Sequence, residues 1–168
     1  GRVVAVDGAA RLGVKILVAG GGRCNVTHHE VDELQYAGAS PNAVKKVLRQ
    51  FGVPQTVAFF ESRGVTLKRE DTGKLFPTTD DAHTILDALV GAARDAGVDL
   101  RHPWRVAQVE QCASEGFVVH SANGETLHAR RIVLATGGKA LPKSGSDGAG
   151  YEFAKQLGHT LTPRVFPA

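Results

Sequence analysis

Two features of this sequence have residue types and spacing suited to chemistry on a bound ligand: a glycine cluster beside polar donors, and acids or small residues at the ends of apolar runs. The stretch KILVAGGGRCNVTH, Lys15 to His28, passes from apolar residues into Gly20, Gly21 and Gly22 and then into Arg23, Cys24 and Asn25. Glycine permits positive φ and carries no Cβ, so consecutive backbone N–H groups can come close to a ligand. Arg23 and Asn25 add side-chain donors that suit a phosphate or the edge of a heteroaromatic ring. A flexible loop would use the same glycines, though rarely between a buried strand and Arg-Cys-Asn. Cys24 reads as a thiol packed beside a cofactor rather than a catalytic thiolate, because no histidine partner can be assigned to it.

In doubly wound α/β folds ligands lie beyond the carboxyl ends of strands, which directs attention to two further places. Asp7 follows Val3 to Val6 and is placed to accept a hydrogen bond from a ribose hydroxyl; an acidic turn residue is the alternative. Ala135-Thr136-Gly137-Gly138 follows the apolar run Ile132 to Leu134, and residues this small permit close passage of a planar or phosphorylated ligand, or simply a tight strand exit. The run Lys143 to Tyr151, KSGSDGAGY, reads equally as a loop lining a site and as a linker. The seven histidines show no metal-ligand spacing and read as surface or polar-loop residues.

The elements that must position these residues follow from periodicity and punctuation. Val3 to Val6 and Ile16 to Ala19 read as short buried strands. Ser40 as cap and Pro41 at the first turn open a helix bearing Val44, Val47, Leu48 and Phe51, and a second helix is expected over residues 56–62. Asp71-Thr72-Gly73 marks a hairpin within VTLKREDTGKLFP, and Thr79 or Asp80 caps a longer helix that ends at Gly97. Strands are expected at 99–101, 104–110 and 116–121, then an Asn123-Gly124 hairpin, an apolar strand from Ile132, and a last helix from Gly150 to Leu157. Helices between non-alternating apolar strands predict an α/β domain with a largely parallel sheet, made mixed by the inserted hairpin.

Composition narrows the class. With 168 residues, 42% hydrophobic and 22% charged, the chain has enough apolar material for a real core. A net charge of +3 without a long basic run argues against nucleic acid as a partner. Cys24 and Cys112 give neither a disulfide framework nor a zinc spacing, which fits a reducing, cytoplasmic setting. No apolar run approaches the roughly 18 residues a membrane span needs, and no export signal is evident. The absence of methionine, the abrupt strand at Gly1 and the extended Pro163–Ala168 read as a piece of a longer protein.

Three segments together, KILVAGGGRCNVTH (15–28), GKLFPTTDDAHTILDAL (73–89) and IVLATGGKALPKSGSDGAGYEFAKQLGHTLTP (132–163), resemble the bacterial aminoacetone-oxidase-like FAD-binding flavoproteins. These are NAD(P)/FAD-dependent oxidoreductases related to 3-dehydro-bile-acid reductases. The resemblance implies an FAD/NAD(P)-binding Rossmann-like domain with a mixed sheet and inserted helices, truncated at both ends. Residues 1–140 would be the FAD-binding domain, including a largely helical segment at 30–97, and 141–168 the start of a substrate domain. It implies FAD contacts from Asp7 at the adenosine ribose, from Lys15, and from Gly20, Gly21, Gly22, Arg23, Cys24 and Asn25 beside the flavin and pyrophosphate. Further contacts are implied from Val106 at the adenine and from Ala135, Thr136, Gly137 and Gly138. The family's first strand and Gly-rich turn, expected just before Gly1, are absent, as is its C-terminal half. Val14, Lys74 and His28 stand where a basic residue, arginine and asparagine are common.

The implied function is flavin-mediated hydride transfer involving an amine or an unsaturated or carbonyl small molecule. NAD(P)H or oxygen would be the redox partner. A non-catalytic nucleotide-binding module is the alternative; the oligomeric state and the catalytic acid or base are left open.

Overall fold

The computed structural model describes residues 1–36, 40–113, 115–139 and 145–162. The elements in chain order are β1 (Val4–Val6), α1 (Val14–Val18), a 3-10 turn (Ala19–Gly22), β2 (Thr27–His28), a second 3-10 turn (Glu33–Gln35), α2 (Pro41–Leu48) and α3 (Val53–Glu61). They continue with β3 (Leu67–Arg69), β4 (Lys74–Pro77), α4 (Ala82–Asp95), β5 (Asp99–Arg101), β6 (Val106–Gln111), β7 (Phe117–Ser121), β8 (Thr126–Ala129) and α5 (Ala149–Gln156). The chain divides into two compact units, Gly1–Val14 with Val98–Ala168, and Lys15–Gly97.

In the first unit β1 and β5 pair in parallel, Val4 opposite Asp99 and Val6 opposite Arg101. Strands β6, β7 and β8 form an antiparallel meander. The expected Asn123-Gly124 hairpin is present: Gly124 at φ 90 donates its N–H to the Ser121 carbonyl at 3.1 Å. Trp104 is buried and its indole N–H donates to Glu125 at 3.2 Å, satisfying the ring's polar atom. Helix α5 contacts β6 and buries Phe153.

The second unit combines helices α1 to α4 and the two 3-10 turns with the antiparallel sheet β2-β4-β3. Its core is Cys24, Phe60, Val65, Ala82 and Ile85, with Ile16, Leu17, Val26, Phe59, Leu67 and Ala88 packed against it. β4 is buried at three of its four positions because Leu75, Phe76 and Pro77 have cover on both faces. Helix α2 begins as read, with the Ser40 hydroxyl accepting from the Ala43 N–H at 3.3 Å and Pro41 in the first turn. The helix ends at Leu48, short of Phe51, and its apolar stripe is only partly covered: Val44 and Leu48 are half-buried and Val47 is 67% exposed. Helix α4 is capped by Asp81, whose carboxylate accepts from the His83 N–H at 2.9 Å, rather than by Thr79 or Asp80.

Three expectations need correction. Residues 16–18 lie in helix α1 and Ala19 in the following 3-10 turn, so this run is no strand. So short a run carries no decisive period, and a single turn suffices to bring Ile16 and Leu17 onto the core. The run from Ile132 to Ala135 pairs with no strand among the described residues, and Val133 is 89% exposed. Apolar composition predicts that a segment favours burial, but only a neighbouring strand can satisfy its backbone as a ladder. The expected largely parallel sheet is also not seen: among the described residues parallel pairing is confined to β1 and β5. The α/β class stands, with parallel and antiparallel pairing mixed. The expected division at 140/141, Lys143 and Ser144 of the KSGSDGAGY run, and the segment 163–168 lie outside the described residues. Among the described residues no helix is long and apolar enough to cross a membrane.

Candidate functional site

The triple glycine makes a turn that side-chain-bearing residues would resist. Gly20, Gly21 and Gly22 have φ of 58, 70 and 88, three consecutive residues on the left-handed side. Each would cost about 1–2 kcal/mol with a Cβ. Their surroundings differ. A Cβ on Gly20 would sit 2.8 Å from both the Phe76 ring and the Asn25 nitrogen, so this glycine admits the protein's own packing. A Cβ on Gly21 would meet nothing within 4 Å, and one on Gly22 only the Leu17 carbonyl at 3.8 Å. At these two positions the backbone faces open space, as close approach by a ligand requires.

Arg23, next in the chain, is engaged from three sides. Its Nη1 donates to the Glu70 carboxylate at 2.5 Å and lies 3.6 Å from Asp80, while its guanidinium carbon sits 4.2 Å from the centre of the Phe76 ring. The Glu70 bond raises the pKa of Arg23 above its ordinary value. Lys68 bonds Asp80 from its other side and is the main reason that the Asp80 carboxyl titrates below the usual carboxylate range. Asp80 has φ 53, and its short side chain makes it one of the few non-glycine residues suited to that backbone. Glu70, Phe76 and Lys68 were not legible as site residues. Asp80 was readable only as a possible helix cap, and the cap is Asp81.

Cys24 is 6% exposed within the core, and burial pushes its thiol pKa up. This is the opposite of what a thiolate nucleophile needs. Its own φ is 59 and its N–H donates to the Ala19 carbonyl at 3.0 Å. Asn25 is exposed, and its side-chain amide has no hydrogen-bond partner among the described residues. Lys15 is exposed on α1. Of the expected site residues, Lys15 and Gly20 to Asn25 are therefore carried by the second unit. His28 and His29 hold the neighbouring hairpin through the Thr72 and Gly73 carbonyls. Among the described residues no group of His, Cys, Asp or Glu is arranged to hold a metal ion.

The remaining expected residues belong to the first unit. Asp7 uses one carboxylate oxygen to accept from the Ala9 N–H at 2.8 Å, and its backbone bonds Arg101 and Trp104. The second oxygen has no hydrogen-bond partner among the described residues. Val106 opens β6 at a bulge, where the pairing passes from Val106 opposite Ser121 to Gln108 opposite His120. Ala107 is thereby left out of the ladder. Ala135 to Gly138 run outside any ladder among the described residues, and here the crowding comes from the protein itself. A Cβ on Gly137 would lie 3.2 Å from the Ser146 hydroxyl and one on Gly138 3.2 Å from the Tyr151 hydroxyl, while Gly150 leaves no room against Thr136.

The second-unit residues fit a phosphorylated heteroaromatic ligand on two observations. Gly21 and Gly22 form a cradle that side chains would fill, and Asn25 with the Nε and Nη2 of Arg23 supply donors that have no acceptor among the described residues. A family model described as HI0933-like protein Rossmann domain matches residues 1–164. The chain is 39% identical over 167 residues to the 3-dehydro-bile acid delta(4,6)-reductase of Clostridium scindens, an alignment covering 99% of this chain and 40% of that protein. It is 32% identical over 162 residues to the ribosomal RNA dihydrouridine synthase of Escherichia coli, covering 96% of this chain and 40% of that protein. A ribosomal RNA dihydrouridine synthase of Haemophilus influenzae is 29% identical over 163 residues, with the same 96% and 40% coverage. The chain spans about 40% of the length of these curated relatives.

Proposed function

Because the chain belongs to the HI0933-like Rossmann-domain family, we propose that the whole protein is an FAD-dependent oxidoreductase to which these residues contribute cofactor contacts. The observation that carries this reading is the open left-handed turn at Gly21 and Gly22, followed by Asn25 and the Nε and Nη2 of Arg23, donors with no acceptor among the described residues. FAD, when bound, supplies the hydride and electron transfer that no protein side chain performs. The roles of this chain are to admit the cofactor and to direct donors at it. Gly21 and Gly22 give backbone access, while Arg23 and Asn25 present N–H groups to oxygens on the ligand. The free oxygen of Asp7 is suited to a ribose hydroxyl. In this reading Lys15 is a further cofactor contact of the second unit, and Val106 and residues 135–138 are further contacts carried by the first.

The names of the relatives favour one chemistry among those a flavin supports. One is a delta(4,6)-reductase and the other a synthase of dihydrouridine, and both names describe adding hydrogen across a carbon–carbon double bond. We therefore favour reduction of an unsaturated substrate over oxidation of an amine, and further propose NAD(P)H as its electron donor. A non-catalytic nucleotide-binding module remains the competing account. The test is the visible spectrum of the full-length protein, purified without added cofactor. Flavin bands that bleach with a reductant are expected. A colourless protein that binds adenine nucleotides but takes up no FAD would favour the module instead.

A further inference from the structure

We infer that Glu70 and Asp80 are positioning residues, which together with the Phe76 ring hold the Arg23 guanidinium in one orientation with its Nε and Nη2 donors facing away from the acids. The inference rests on the flavin reading above and deepens it by naming what aims one of its donors. The Glu70 hydrogen bond at 2.5 Å and the Asp80 ion pair at 3.6 Å both fall on Nη1, so the two acids engage one edge of the fork and leave the other. Phe76 beneath it is 3% exposed within β4, and its packed ring is the platform at 4.2 Å. The Arg23 side chain is still 40% exposed, so its free edge is reachable. Lys68 holds Asp80 in turn, and the two cations and two anions balance one another. Arg23 in this setting acts through direction more than through net charge. A free arginine would have to give up its rotamer freedom on meeting a ligand; this one has already done so.

The geometry ranks the two acids, Glu70 above Asp80, and permits clean substitutions. E70Q keeps the shape and removes the charge, and D80N suits the left-handed backbone at residue 80 as well as aspartate does. In the full-length protein stripped of cofactor, FAD affinity is measured by titration for the wild type, E70Q, D80N, R23A and R23A/E70Q. The visible circular dichroism of the bound flavin is recorded for each. E70Q is expected to weaken FAD binding about tenfold and to change the dichroism, with D80N weaker in both effects. In the R23A background E70Q should cost nothing further, because its influence passes through Arg23. Equal losses from E70Q with and without Arg23 would show that Glu70 acts on the fold at large and would overturn the inference, as would an E70Q protein with wild-type affinity and dichroism. A full-length protein that binds no FAD in any variant would overturn the flavin reading itself and this inference with it, an outcome distinct from the other two.

Discussion

At the scale of single residues, the three adjacent glycines are glycine for two different reasons. Gly20 needs both a left-handed backbone and the absence of a Cβ, because Phe76 and Asn25 stand 2.8 Å away from where one would be. Gly21 needs only the backbone, at φ 70 with open space beside it. In urea unfolding G21A should therefore lose about 1–2 kcal/mol, the left-handed cost alone. G20A should lose about 1–3 kcal/mol more from overpacking against the ring. Equal losses would mean that Phe76 moves aside freely, and the tight packing argued for Gly20 would fall. Cys24 also shows how a residue's type can mislead. A thiol between Arg and Asn invites a catalytic reading, yet its side chain is core and its pKa moves the wrong way for a nucleophile.

At the scale of elements, the turn between β4 and α4 concentrates charge. Asp80 bonds Lys68 and faces Arg23, and Asp81 caps α4 while bonding the His83 ring. The carboxyls of both acids titrate below their ordinary range: Lys68 is the main cause for Asp80, and the His83 backbone N–H for Asp81. A carboxyl with a lowered folded-state pKa contributes stability that is complete above the unfolded-state pKa and is lost as pH falls through the folded-state value. The melting temperature should therefore hold near neutrality and fall on acidification into and below the usual carboxylate range. D81N keeps a capping side chain, and D80N keeps the backbone preference, but neither titrates. The double variant D80N/D81N should show a flatter acid limb than the wild type, and an unchanged acid limb would rule out this turn as a source of the pH dependence. Asp80 and Asp81 together show why the capping signal was read early, at Thr79 or Asp80. Adjacent aspartates are indistinguishable in sequence, and the fold assigns one to the helix and the other to Lys68 and Arg23.

At the scale of the whole molecule, the two cysteines report on the unit that carries each. Cys24 is buried in the core of residues 15–97, and Cys112 is half-buried in the other unit. Under native conditions a thiol-alkylating reagent should modify Cys112 first, with Cys24 labelled only at the rate at which its unit opens. Peptide mass spectrometry separates the two, and mild denaturant should accelerate Cys24 alone. Native labelling of Cys24 as fast as Cys112 would contradict its place in the core. The exposed Val133 and Leu134 of the apolar run 132–134 belong to the same scale, as does the exposed Val47 of α2. Their composition is that of buried segments, and the chain accounts for about 40% of the length of its relatives.

What the sequence determined by itself is whatever a few neighbouring residues can encode. Ser40-Pro41 started α2, Asn123-Gly124 and Asp71-Thr72-Gly73 turned their hairpins, and the spacing of Ile85, Leu86 and Leu89 made α4. The left-handed turn at Gly20 to Gly22 was legible for the same reason, since φ is a local property. The tertiary structure decided what depends on distant partners. Arg23 meets Glu70, 47 positions away, and no pattern around either residue announces the other. Residues 16–18 became helix rather than strand because the core needed two of their side chains on one side. Residues 132–134 pair with no strand among those described because a ladder requires a neighbour, which apolar composition alone cannot supply.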